Sequence, residues 1–166
     1  HRDLPGLVRL RRFGKWDILP RDSLGKFEKV WEYVHPEDRI KNKHGDSAEL
    51  IAGGTPPRCV TDRGIAVARN FEFDRLILHY TQPHHPYLAN AIAENRDPHV
   101  YEVHPFRHLN NGGKHSVVWE SYLDELRWVL DDISILLLNI DTETVVLSAD
   151  HGEAFGEYGV YKHNSG

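Results

Sequence analysis

Asp150 and His151 stand back to back at the end of an apolar run, with Gly152 directly behind them. A carboxylate and an imidazole in adjacent positions offer a hard oxygen and a nitrogen to one divalent cation. The competing reading is a polar turn in which Asp150 caps a helix and His151 faces solvent. Upstream, Pro83-His84-His85-Pro86 places two histidines between prolines, whose fixed φ holds the turn stiff. An imidazole titrating near neutrality at such a turn suits a general acid, and a histidine that only packs there is the alternative. Further on, Glu153, Glu157, Lys162 and His163 add acidic and basic groups within one short stretch. With twelve histidines in the chain, most must be ordinary surface residues.

These residues need elements to position them. Thr144-Val145-Val146-Leu147-Ser148-Ala149 is β-branched and apolar and reads as a buried strand. In an open α/β sheet, ligands sit outside the carboxyl ends of strands, which is where Asp150 and His151 fall. Arg75 to Tyr80 reads as a second strand, leading into the proline-bounded histidines. Between the two, Val118, Tyr122, Leu126, Val129, Ile133, Leu136, Leu137 and Ile140 recur in steps of three and four, predicting an amphipathic helix that begins after Ser116. Strand, helix, strand with such long connections implies parallel strands and a right-handed crossover. Asp22-Ser23 caps an expected helix through Leu24, Phe27, Val30, Trp31 and Val34. Residues 61–68 predict a short helix despite Gly64, and residues 87–94 a brief one. Residues 1–20 show no clean period, Lys41 to Ser47 reads as an exposed loop, and residues 95–113 form a long segment that is either a substrate-facing insertion or a surface flap.

Val-Val-Leu-Ser-Ala-Asp-His-Gly-Glu, followed by Gly156-Glu157 and His163, resembles the late metal-binding segment of the sulfatases, members of the alkaline-phosphatase-like superfamily. Ala149 stands where the family usually has serine. Leu76 to Tyr87 resembles the family's strand followed by Pro-His-x-Pro, and Tyr122 to Leu138 its helix before the metal strand. The resemblance is clearest over residues 74–166. It implies a three-layer α/β/α fold with a mostly parallel sheet, of which residues 1–166 would be an incomplete part of the catalytic domain. It implies a metal-dependent sulfuric ester hydrolase acting on a small-molecule or glycan sulfate ester. The same superfamily also contains phosphate and phosphonate ester hydrolases and phosphoglycerol-type transferases, and a non-catalytic, metal-stabilised binding domain is a reading of a different kind.

On this resemblance Asp150 and His151 are metal ligands, His84 aids the departing alkoxide, and His163 binds the substrate's anionic oxygens, with Lys162 able to take that place. Calcium is the metal implied; the histidine ligand by itself tilts towards manganese or zinc. The nucleophile (formylglycine, serine or threonine) is expected upstream of residue 1, so residues 1–166 alone are expected to be inactive. Cys59-Val60-Thr61-Asp62-Arg63 only faintly resembles the formylglycine motif, because Thr61 replaces its proline, and a small buried thiol is the better account.

Composition narrows the partners. A net charge of −5 with 27% charged residues argues against nucleic acid as a main partner. No apolar run approaches the ~20 residues of a membrane span. A single cysteine excludes an internal disulfide and fits a reducing compartment such as the cytoplasm. The absence of methionine fits an internal piece of a longer chain.

Overall fold

The computed structural model describes residues 7–12, 15–20, 23–32 and 55–163. In chain order these form strands β1 (Leu7–Arg12) and β2 (Lys15–Pro20), then helices α1 (Pro57–Asn70), α2 (Ala89–Ala93), α3 (Val100–Val103), α4 (Pro105–Asn110) and α5 (His115–Leu137). Two short strands, β3 (Ala154–Phe155) and β4 (Tyr161–Lys162), close the chain. Helices and strands are thus mixed, and the two sheets among the described residues are two-stranded and antiparallel.

Helix α5 follows the spacing read from the sequence, but its buried stripe is Val118, Ser121, Glu125, Val129, Asp132 and Leu136. The stripe takes in three polar residues because each has a partner. Ser121 Oγ donates to the Val117 carbonyl at 2.8 Å. Glu125 accepts backbone amides of α2, and Asp132 pairs with Arg58 of α1. Leu130 and Leu137, on the other side, stay exposed.

Helix α1 starts at Pro57, where a missing N–H costs nothing and the fixed φ suits the first turn. It packs on α5 through Thr61, whose side chain is fully buried and lies 3.3 Å from the Asp132 carbonyl. Gly64 fits this helix because of what approaches it. A Cβ there would stand 2.6 Å from Leu78 Cδ1 and 3.4 Å from Leu136 Cδ1. The glycine therefore lets segment 75–80 lie close to α1, and the hydroxyls of Thr61 and Tyr80 meet at 2.9 Å.

The two strands expected at 75–80 and 144–149 have no regular secondary structure and join no ladder among the described residues. Leu78 and Tyr80 are half-buried while Ile77 and His79 are exposed, the alternation of a strand with one face covered. Val145, Val146 and Leu147 are all exposed. A segment becomes a strand only when a neighbour takes its amides and carbonyls, and among the described residues none does. Among the described residues, the N-terminal pairing is β1 with β2, in register Arg12↔Lys15 through Leu7↔Pro20. The helix expected from Leu24 to Val34 is reduced to one 3-10 turn, Val30–Glu32, with residues 33 and 34 outside the described residues. The loop at 41–47 also lies outside them. Residues 95–113 are largely helical, as α3 and α4. Glu102, buried in α3, accepts both Arg96 Nη atoms at 2.7 Å and the His99 amide at 2.6 Å.

The core that supports the motif residues is aromatic: Tyr87, Phe106, Leu109, Val118 and Phe155, with Tyr101, Val117, Tyr122 and Tyr161 against it. It draws on the turn after the histidines, on α4, on α5 and on the β3–β4 hairpin.

Candidate functional site

The hairpin explains how the end of the chain folds back on itself. Ala154 pairs with Lys162 and Phe155 with Tyr161, so the next step outward sets Glu153 opposite His163. Gly156 makes the turn possible: its φ is +119°, and a Cβ there would press to 3.2 Å from the Tyr161 ring. Phe155 anchors the hairpin, with its ring 5.0 Å from Tyr122 and 5.3 Å from Trp119. Glu157 accepts the Phe155 amide at 2.6 Å, and its own amide and that of Phe155 hold its carboxyl below the usual range. Its role is to lock the turn.

Across this turn, Glu153 Oε1 accepts the Nδ1 proton of His163 at 2.7 Å. The Glu153 side chain is only 6% exposed, and its second oxygen is buried without a hydrogen-bond partner. His84 arrives from the proline turn, where its amide donates to the Thr81 carbonyl at 2.9 Å. Its Nδ1 lies 2.6 Å from the His85 carbonyl, which can only accept, so Nδ1 carries the proton of that contact. The rings of His84 and His163 stand 5.8 Å apart, and those of His151 and His163 only 3.8 Å apart. Three histidines from two distant stretches therefore share one small region.

His85 behaves differently from its neighbour. Its ring packs edge-on against Phe106 at 5.4 Å, and its Nδ1 is buried without a partner. Burial, and then the positive charges of His84, Lys162, His163 and His104, push it down to about 4. A neutral, inward ring is a packing residue. Lys162 is exposed, with Nζ 5.8 Å from the centre of the Phe106 ring.

Asp150 and His151 are both exposed, with His151 Nε2 3.7 Å from Asp150 Oδ2. Asp150 precedes no helix, and His151 does not enter the core; its Nδ1 lies 3.1 Å from the Gly152 carbonyl. Two ligand atoms on one ion at about 2.0–2.6 Å stand about 3–4 Å apart, so this pair fits a shared divalent cation. A separate group also has ligand spacing: atoms of His84, Glu153 and His163 all lie within 4.8 Å of one another. Glu153 is the member of this group to which the motif resemblance assigns no role. The ten-residue spacing to His163 across Gly156 and Gly159 was the available signal of a hairpin that would pair them.

An open cleft of about 560 Å³ lies between α3, α4 and Gly112-Gly113, lined by His104, Arg107 and His108. None of the motif residues lines it. Cys59 sits half-buried in the first turn of α1, beside buried Val60 and Thr61. No helix among the described residues is long and apolar enough to cross a membrane. In comparison with known proteins, no protein-family model, curated protein or solved structure matches this chain.

Proposed function

We propose that this chain is part of a metal-dependent sulfuric ester hydrolase of the sulfatase type, with a three-layer α/β/α catalytic domain. The observation that carries the reading is the meeting of His84, His151 and His163, which come from two motif segments more than sixty residues apart. The two unpaired apolar segments, 75–80 and 144–149, support the layered fold: each leads directly into a motif, and α5 runs between them in sequence.

In this reading Asp150 and His151 hold the cation, calcium by resemblance. When bound, that ion supplies positive charge for the ester's anionic oxygens. His163, fixed by Glu153, and Lys162 bind those oxygens from the protein side. In the same reading a proton from His84 Nε2 goes to the leaving alkoxide as the sulfur–oxygen bond breaks, while Nδ1 stays on the His85 carbonyl. The nucleophile, formylglycine or a serine or threonine, is supplied from outside these residues.

The test is hydrolysis of 4-nitrophenyl sulfate and 4-nitrophenyl phosphate by the intact protein that carries this chain. Faster sulfate hydrolysis is expected. Phosphate hydrolysis alone would replace the sulfatase reading with the phosphoryl-transfer branch of the superfamily, and turnover of neither would favour a binding domain.

A further inference from the structure

We propose that the cleft between α3 and α4 binds a small organic anion, an oxyanion group carried on an apolar body. The cleft encloses about 560 Å³, within the size range of small-molecule sites, and its two walls differ in chemistry. His104 precedes α4, and Arg107, His108 and Asn111 follow three, four and seven residues on, so all four share one helix face. Each carries at least one side-chain N–H to donate. The facing wall is apolar, made by Pro98 and by Val100 and Val103 of α3. No carboxylate lines the cleft, although the chain as a whole carries a net charge of −5.

Two observations beyond this arrangement point to a ligand. The other arginines on helices α1–α5 are engaged: Arg58 with Asp132, Arg63 with Glu28, Arg69 with Asn139 and Arg127 with Asp124. Arg107 is exposed and has no ion pair or side-chain hydrogen bond among the described residues. Its planar fork matches two oxygens of one oxyanion. His108 is the second observation: its Nε2 is buried without a hydrogen-bond partner, a cost that a ligand atom in the cleft offsets. The cleft is also preformed. The Gly113 amide donates to the His108 carbonyl at 2.9 Å, and a Cβ on Gly113 would stand 2.3 Å from the His108 ring, so glycine is required for this close return. The same ring meets Tyr101, with centroids 5.7 Å apart. Glu102 of α3 does not repel an anion strongly, because two Arg96 nitrogens hold its oxygens at 2.7 Å.

The inference stands on binding and does not rest on the hydrolytic reading, whose residues do not line the cleft. The experiment is calorimetric titration of the intact protein that carries this chain with benzoate, benzenesulfonate, phenyl phosphate and, as the neutral control, benzyl alcohol. One equivalent of at least one anion is expected to bind, and the order among the three identifies the preferred oxyanion. Benzyl alcohol should bind at least about tenfold more weakly, since it lacks the charge that Arg107 meets. Arg107→Gln should weaken the anion about 10–100-fold, the loss of one charge-assisted hydrogen-bonded pair. Val100→Asp, at an exposed position, sets a carboxylate in the apolar wall and should weaken it at least as much. The same equivalent should survive in His163→Ala, which separates the cleft from anion binding at the motif residues. Circular dichroism confirms that the variants fold, and Arg107→Gln decides the matter if Val100→Asp does not. No anion bound, equal binding of benzyl alcohol, affinity unchanged in Arg107→Gln, or loss of the whole signal in His163→Ala would each overturn the site.

Discussion

Glu125 offers the sharpest test of how the proline turn is held in place. Its side chain is fully buried in the middle of α5, and Oε2 accepts the amides of Leu88 at 2.7 Å and Ala89 at 2.8 Å. These contacts cap α2 and fix the chain directly after His84-His85-Pro86. Oε1 has no partner, so burial outweighs the two amides and raises the carboxyl from its ordinary 4.5 to about 7. A carboxyl raised on folding contributes stability that is fully present below its unfolded value and is lost as pH rises through the folded one. Between pH 4.5 and about 7 that loss is worth about 3 kcal/mol, at 1.36 kcal/mol for each step of tenfold. His85 works the other way. Held down to about 4, it contributes stability that is present above its ordinary 6.5 and lost as pH falls. The wild type should therefore be least sensitive to pH where the two slopes overlap. In Glu125→Gln the amide oxygen can keep both backbone contacts, but no proton is exchanged. Urea unfolding across pH 4.5 to about 8 should show the variant near wild-type stability in acid and about 3 kcal/mol more stable in mild alkali. Parallel pH profiles for the two proteins would refute the buried-carboxyl argument.

Other outcomes follow from the same structure. On the proposed ester hydrolysis, His84→Ala in the intact protein should lower turnover of esters with poor leaving groups by about 10²–10⁴ and that of activated aryl esters much less; equal losses in kinetic assays would make His84 a positioning residue. Phe106→Ala should cost about 3–5 kcal/mol in denaturant unfolding, since its buried ring supports His85, Phe155 and the Lys162 ammonium; a loss under about 1 kcal/mol would mean that the aromatic core does not hold the site. Ile77→Lys and Val146→Lys, both at strongly exposed apolar positions, should reduce concentration-dependent association of residues 1–166 in light scattering. Unchanged scattering would show that these rows are not what drives association.

The helices were legible where one local pattern decided them. The three- and four-residue steps of α5 lie within a single segment, and its packing only turned the buried stripe towards Ser121, Glu125 and Asp132. Those polar positions were not legible, because their partners are residues distant in sequence: Leu88, Ala89 and Arg58. The β1–β2 pairing was not legible although Val8-Arg9-Leu10-Arg11 alternates; the run of arginines conceals the period. Residues 75–80 and 144–149 have the composition of strands, but pairing is a property of a neighbour that local composition does not contain. The expected helix at 24–34 failed for a related reason. Gly25 weakens its first turn, and segment 26–29 makes side-chain contacts instead, with Glu28 accepting from Arg63 and held down to about 2 by Arg63 and then Lys26. Of the site, the individual residues were visible, while the Glu153–His163 pair emerged only once the hairpin register set them opposite each other.

The central claim is that Asp150 and His151 hold the cation on which ester hydrolysis depends. It is tested most directly by measuring metal content and aryl sulfate turnover together, in the intact protein and in Asp150→Ala. The account predicts that a chelator abolishes turnover, that calcium restores it, and that Asp150→Ala loses both the metal and the activity. Undiminished sulfate turnover after chelation, or full metal content and activity in Asp150→Ala, would contradict it.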